Sequence, residues 1–66
     1  MSPADARRDR AAGRDWFLSL SAGERWAVGD DLVLGTFDWR DWGFERRPSA
    51  AFLNGADAAR MLWEDQ

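Results

Sequence analysis

The aspartates in the middle of the chain are the side chains best suited by type to metal binding or acid–base catalysis. They lie at four positions: Asp30, Asp31, Asp38 and Asp41. A Ca²⁺-binding EF-hand loop needs acids at alternate positions, a central glycine and a terminal glutamate, and these residues do not have that spacing. We therefore expect solvated turn acids that hold no metal. A second interpretation is that they face a basic groove on another protein.

Most other side chains that do chemistry near neutral pH are missing, because the 66-residue chain contains no histidine, cysteine, tyrosine or lysine. It therefore lacks an imidazole base, a thiolate nucleophile and a Schiff-base amine. A chain this short also leaves little room for a deep substrate pocket beside a core. We expect no enzymatic activity, no cofactor and no small-molecule substrate.

The tryptophans supply much of the apolar volume of this short chain. There are five of them: Trp16, Trp26, Trp39, Trp42 and Trp63. Trp16 and Trp63 recur at helical spacing with other apolar residues, which predicts that they pack in the core. Trp39 and Trp42 instead flank Arg40 in a charged segment with turn chemistry, where two indoles are hard to bury. Because tryptophan and arginine often dominate binding energy at protein interfaces, we predict that Trp39, Arg40 and Trp42, with the four aspartates, bind a partner.

The N-terminal segment is mildly basic. It carries four arginines: Arg7, Arg8, Arg10 and Arg14. Arginines can neutralise phosphates, so this arm could contact nucleic acid. Two aspartates interrupt it, however, and the whole chain has a net charge of −3, whereas typical nucleic-acid-binding domains are clearly basic. A solvated helix face is favoured, and a nucleic-acid-binding regulator is the alternative function.

The first element is predicted to be a helix over residues 3–19. Ser2 can cap it, and Pro3 suits the first helical position. Ala12, Trp16 and Leu20 recur at four-residue spacing, which predicts docking through the C-terminal half of the helix. Residues 1–11 are then the part that is open to fraying.

The central segment predicts a two-stranded β-hairpin. Ser21 and Glu24 have the spacing of a capping box and start a short helical turn that Gly29 ends. Residues 32–37 are the most β-rich stretch, and residues 42–46 could return as a second strand after a turn. Helices must cover this hairpin, because two strands alone are only marginally stable in water.

The last element is predicted to be a helix with an apolar stripe. The stripe consists of Phe52, Ala56, Ala59 and Trp63. Pro48 and Ser49 can end the strand and cap the next element. Because Asn54 and Gly55 interrupt the stripe, however, we expect the helix to begin only near residue 55, with Asn54 as its cap. The predicted fold class is therefore α+β, a small single domain over residues 1–66 with helix, hairpin and helix in order. The alternative is an all-α fold.

The sequence contains neither an apolar run of about 20 residues for a membrane span nor one of about 7 to 15 for a signal peptide. We expect a cytoplasmic protein that does not bind membranes. The predicted function is a small non-enzymatic protein-binding module. It would inhibit or modulate a larger protein or nucleoprotein complex, as phages and mobile elements do to host nucleases or defence complexes, or serve as its accessory subunit. The domain could also self-associate into a homo-oligomer, because so small a domain can depend on a partner for stability.

Overall fold

The computed structural model of the chain describes residues 2–66 and is built from helices. Helix α1 spans Pro3–Ser19, α2 spans Ala22–Leu34, a 3₁₀ helix spans Trp39–Trp42, and α3 spans Ala50–Glu64. Within residues 2–66 there is no β-strand, so the predicted α+β fold with a central hairpin is wrong and the all-α alternative is confirmed. None of these helices is long and apolar enough to cross a bilayer.

Helix α1 has the predicted bounds. The Ser2 hydroxyl accepts a hydrogen bond from the Asp5 backbone N–H at 3.2 Å, and Pro3 is the first helical residue. Residues 3–11, where the sequence leaves fraying open, are helical, and Met1 lies outside the described residues. The contacts between α1 and α3 also extend further towards the N-terminus of α1 than the apolar periodicity predicts, because the Asp9 carboxylate already contacts Ser49 at the start of α3.

Helix α2 replaces the predicted first strand. It starts with the predicted capping box but continues through Gly29 and ends at Gly35, which has φ 73°. Val28 is fully buried, and Leu32, four residues on, packs against the core. Four-residue spacing places both side chains on one helix face, so core packing favours a helix over the β preference of this short run. The left-handed conformation of Gly35 then ends the helix.

The predicted second strand is also absent. Asp38 caps the 3₁₀ helix, and Gly43, with φ 81°, ends it. Residues 43–49 then run to α3 without regular structure. Since residues 32–34 belong to α2, residues 42–46 have no strand to pair with.

Helix α3 begins five residues earlier than predicted. Ser49, and not Asn54, is its cap, and the Ser49 hydroxyl accepts from the Phe52 backbone N–H at 3.1 Å. The same hydroxyl donates to the Asp9 carboxylate at 2.8 Å, which ties the start of α3 to α1.

Helices α1 and α3 touch backbone to backbone where two glycines meet. A Cβ added at Gly13 would overlap the carbonyl oxygen of Phe52 and lie 2.8 Å from its carbonyl carbon. A Cβ added at Gly55 would overlap the carbonyl oxygen of Arg10 and lie 2.8 Å from its Cα. The missing side chains therefore allow the two helices to approach closely.

The core beside this crossing is small and is completed by aromatic rings. Its buried apolar residues are Phe17, Val28, Ala56 and Ala59. Trp16 packs on this cluster from one side, and its ring centroid lies 5.8 Å from that of Phe52. Trp63 packs on it from the other side, 6.0 Å from Phe17 and 4.7 Å from Trp26. Trp16 and Trp63 thus contact the core as their helical spacing predicts.

Two arginines connect α2 to the other helices. The Arg25 guanidinium donates to the Leu18 carbonyl at 2.6 Å and lies 5.4 Å from the ring centroid of Trp63. Arg60 of α3 lies against Gly29 of α2. Through these side chains α2 is held on the pair formed by α1 and α3.

Candidate functional site

The 3₁₀ helix holds the residues predicted to form the hot spot. The Asp38 carboxylate accepts from the Arg40 backbone N–H at 3.0 Å and lies 3.5 Å from the Arg40 guanidinium. That guanidinium also lies over the Trp39 ring, 4.8 Å from its centroid. The Trp39 indole is only half-buried and does not pack on the core cluster. Asp38, Trp39 and Arg40 therefore form a fixed group that keeps one charged and one aromatic surface at the protein exterior.

Trp42 is oriented differently from Trp39. Its ring packs edge-on against Trp16, with centroids 6.2 Å apart and an interplanar angle of 87°. It is half-buried and contacts the core cluster. Trp42 therefore contributes packing contacts to the fold, whereas Trp39 is the tryptophan of this turn that makes no contact with the core cluster.

A cleft of about 390 Å³ lies beside the 3₁₀ helix. Gly35 and Thr36, which directly follow α2, line it together with Trp39, Arg40 and Arg47. The cleft therefore joins the end of α2 to the turn. Its two arginines make it less acidic than the sequence suggests.

Of the four predicted aspartates, Asp38 lines this cleft and the other three do not. The Asp31 carboxylate accepts from the Thr36 hydroxyl at 2.8 Å, which fixes the chain as it leaves α2. Asp30 and Asp41 are exposed, and neither forms an ion pair with any residue between 2 and 66. In that part of the chain no three acids converge to hold a metal ion. The aspartates act as separate surface charges, and three of them have no ion-pair partner between residues 2 and 66.

Sequence reasoning missed an apolar surface on α2. Trp26, Val33 and Leu34 are 52%, 65% and 73% exposed. Asp30 lies four residues after Trp26, three residues before Val33 and four residues before Leu34, so these four residues share one helix face. We call this face the acidic edge of α2, formed by Trp26, Asp30, Val33 and Leu34. Assigning residues 32–37 to a strand hid it, whereas helical periodicity from Val28 would have separated Leu32, which packs on the core, from exposed Val33 and Leu34.

The four arginines of the N-terminal arm make different contacts on helix α1. Arg8 pairs with Asp5 at 3.1 Å, whereas Arg7 and Arg10 have no ion-pair partner between residues 2 and 66. Arg14 pairs with the exposed Asp15 at 3.1 Å. Arg7, Arg10 and Arg14 line one groove against α3, and Arg8 does not.

Two groups have shifted pKa values, and neither lies at the acidic edge or the turn. Hydrogen bonds from the Ser21 backbone N–H and hydroxyl lower the pKa of Glu24 below its ordinary value. A hydrogen bond to Asp57 raises the pKa of Arg60, with a further contribution from Glu64. Both shifts arise from interactions that stabilise helices and indicate no proton-transfer chemistry.

The acidic edge, the cleft and the turn carry exposed apolar side chains together with charges of both signs. Such a surface can bind a protein. The chain matches no protein family model, no curated protein and no solved structure.

Proposed function

We propose that the chain is a non-enzymatic protein-binding module that inhibits or modulates a larger protein or nucleoprotein complex, or serves as its accessory subunit. One observation carries the proposal. The acidic edge of α2 exposes most of Val33 and Leu34 to solvent beside Asp30, whose charge no cation of the described chain neutralises.

Burial of these side chains supplies the affinity. Removing a leucine or valine side chain from water stabilises a complex by about 1.5–3 kcal/mol. The Trp26 indole extends the same face and adds an aromatic contact. The binding energy is therefore expected to come from the apolar residues of the edge.

Charge selects the partner. Asp30 on the edge and Asp41 on the turn attract a protein surface that bears arginine or lysine around an apolar patch. A nucleic-acid-binding groove on another protein has this character. Occupation of such a groove would block its use, which is how a module without catalytic residues can inhibit.

The turn adds specificity. Gly35 immediately follows Leu34 and lines the same cleft as Trp39 and Arg40, so a partner seated on the edge also reaches the turn. Trp39 presents a ring that Arg40 already holds in place, so little side-chain entropy is lost on binding.

Affinity capture from native cells with matched variants tests the proposal. Val33→Gln/Leu34→Gln removes the apolar contact with residues that suit a helix, and Met61→Gln, 58% exposed on α3, is the control. We expect one protein to be retained in stoichiometric amount by the wild type and by Met61→Gln and lost from the double variant, with unchanged circular dichroism. If no retained protein depends on Val33 and Leu34, the edge is not the binding site.

The captured complex then separates the two roles. The activity of the partner is titrated with purified chain: an inhibitor lowers it, whereas an accessory subunit sustains it. In the same titration Trp39→Ala and Arg40→Ala should each weaken binding by more than about 1 kcal/mol while the fold is retained. Wild-type affinity in both variants would remove the turn from the interface.

A further inference from the structure

A second surface, separate from the acidic edge, is an open groove along the seam between α1 and α3. It consists of two depressions that share Arg14, Ala59 and Leu62 as lining residues and are therefore continuous. Arg7 lies at one end and Leu18 at the other. These two residues are eleven positions apart on α1, so at 1.5 Å per residue the groove is about 16 Å long, or about three helical turns.

The sides of the groove are basic. Four arginines line it and no acidic side chain does: Arg7, Arg10, Arg14 and Arg25. Arg7 and Arg10 have no ion-pair partner within residues 2–66, and Arg14 pairs only with the exposed Asp15. Arg25 contacts a carbonyl and an aromatic ring and no carboxylate of the described chain. The positive charge is therefore largely uncompensated.

The rest of the lining, which we call the floor, is mostly apolar. It includes Leu62, which is 70% exposed, Leu18, which is 46% exposed, and the small residues Ala11, Ala58 and Ala59. Small residues leave space for a helix to approach, and the two leucines supply area to bury. The fold leaves this floor without a cover of its own.

We propose that this groove binds an acidic amphipathic α-helix of another protein. Leucine-type residues at successive turns of that helix would cover Leu18, Ala58 and Leu62, and flanking glutamates or aspartates would pair with Arg7, Arg10 and Arg14. The length of the groove matches about three turns of such a helix. The groove differs from the acidic edge in the charge of the partner that it selects, because its arginines attract acidic residues whereas Asp30 attracts basic ones.

The floor argues against nucleic acid as the occupant. Phosphates gain nothing from Leu18 and Leu62, and burying these leucines requires an apolar face on the ligand. The net charge of −3 also opposes approach to a polyanion, whereas a single short acidic helix is repelled far less.

Fluorescence anisotropy with defined probes tests the proposal. The probe is a labelled peptide of about 18 residues, long enough to form a marginal helix, with leucines at i, i+3, i+4 and i+7 and glutamates on the flanks. A scrambled peptide of the same composition and a duplex DNA oligonucleotide are the comparisons. We expect the amphipathic peptide to bind at least tenfold more tightly than either, with affinity falling as salt rises.

Variants locate the binding site. Leu62→Gln removes an exposed apolar side chain, and Arg7→Gln/Arg10→Gln removes charges that hold no partner within residues 2–66, so circular dichroism should be unchanged. Each should weaken peptide binding at least tenfold. The control Arg8→Gln removes an arginine that pairs with Asp5 and does not line the groove, and it should bind as the wild type does.

Four results would overturn the proposal: equal binding of the scrambled peptide, tighter binding of the DNA, no amphipathic binding at millimolar peptide, or unchanged affinity in Leu62→Gln. Sedimentation without peptide adds a fifth. A dimer that Leu62→Gln dissociates would show that a second copy of the chain occupies the groove.

Discussion

The close contact of α1 and α3 predicts that Gly55→Ala destabilises the protein, although alanine is the better helix former by about 1 kcal/mol. The added Cβ meets backbone atoms of Arg10, the Cα at 2.8 Å. Carbon atoms pack best at about 3.5–4.0 Å, so the two helices must separate by about 1 Å. No rotamer change can relieve the clash, because the opposing atoms belong to a backbone.

The magnitude follows from what that separation disrupts. Overpacking of a core costs about 1–3 kcal/mol, and here it also loosens the contacts of Phe17, Ala56 and Ala59 along the seam. Taking the upper end of this range and subtracting the gain in helix propensity, we expect a net loss of about 2 kcal/mol in the free energy of unfolding. For a domain of this size that lowers Tm by about 8–16 °C.

Gly23→Ala is the matched control. Gly23 also lies within a helix, but a Cβ added there meets nothing within 4 Å. Only the higher helix propensity of alanine then affects stability, so the free energy of unfolding should rise by up to about 1 kcal/mol. Thermal melts followed by circular dichroism measure both variants. If Gly55→Ala melts at or above the wild-type temperature, the helices do not touch at Gly13 and Gly55, and the argument from close approach fails.

Three further predictions concern individual side chains of the turn and the helices. Trp42→Ala should lower Tm more than Trp39→Ala, because only Trp42 packs on the core cluster; equal melts would contradict this. Trp63→Ala should reduce the free energy of unfolding by about 3 kcal/mol, measured by urea titration, since its ring contacts Phe17 and Trp26. Glu24→Gln should be less stable than the wild type above pH 4.5, because the lowered Glu24 pKa stabilises the folded state there. That difference should vanish as the pH falls through the folded-state pKa; a constant difference would exclude the ionised capping box as its cause.

The N-termini of α1 and α2 were the part of the fold that the sequence predicted best. Ser2, Pro3 and the pair Ser21 and Glu24 satisfy local backbone donors, and such interactions depend only on neighbouring residues. The bounds of α1 and the start of α2 were therefore correct.

Features that depend on tertiary contact could not be predicted in the same way. Leu32, Val33 and Leu34 form a run too short to separate helix from strand by periodicity, and packing of Leu32 on the core decides it. Gly13 and Gly55 look like helix-weakening residues in the sequence. Their structural role is visible only in the folded protein, where each makes room for a backbone carbonyl of the opposite helix.

The sequence could indicate that Trp39 and Arg40 lie in an exterior turn, but not that Trp42 packs on the core cluster. The strand assignment hid the acidic edge of α2. From the sequence, Arg7 and Arg10 were interpreted as part of a solvated helix face, with nucleic-acid binding as the alternative, because their neighbours on α3 are distant in sequence. Leu62, which changes the interpretation of these arginines, lies on α3.

The pairing of α1 with α3 also sets when the chain can fold during its synthesis. The face of α1 that carries Gly13 leaves the ribosome before the helix that packs against it, because α3 spans residues 50–64 and is synthesised later. Until then α1 lacks the backbone surface of α3 that fits Gly13. The contact between α1 and α3, and the part of the core that Ala56 and Ala59 complete, can therefore form only after α3 has left the exit tunnel.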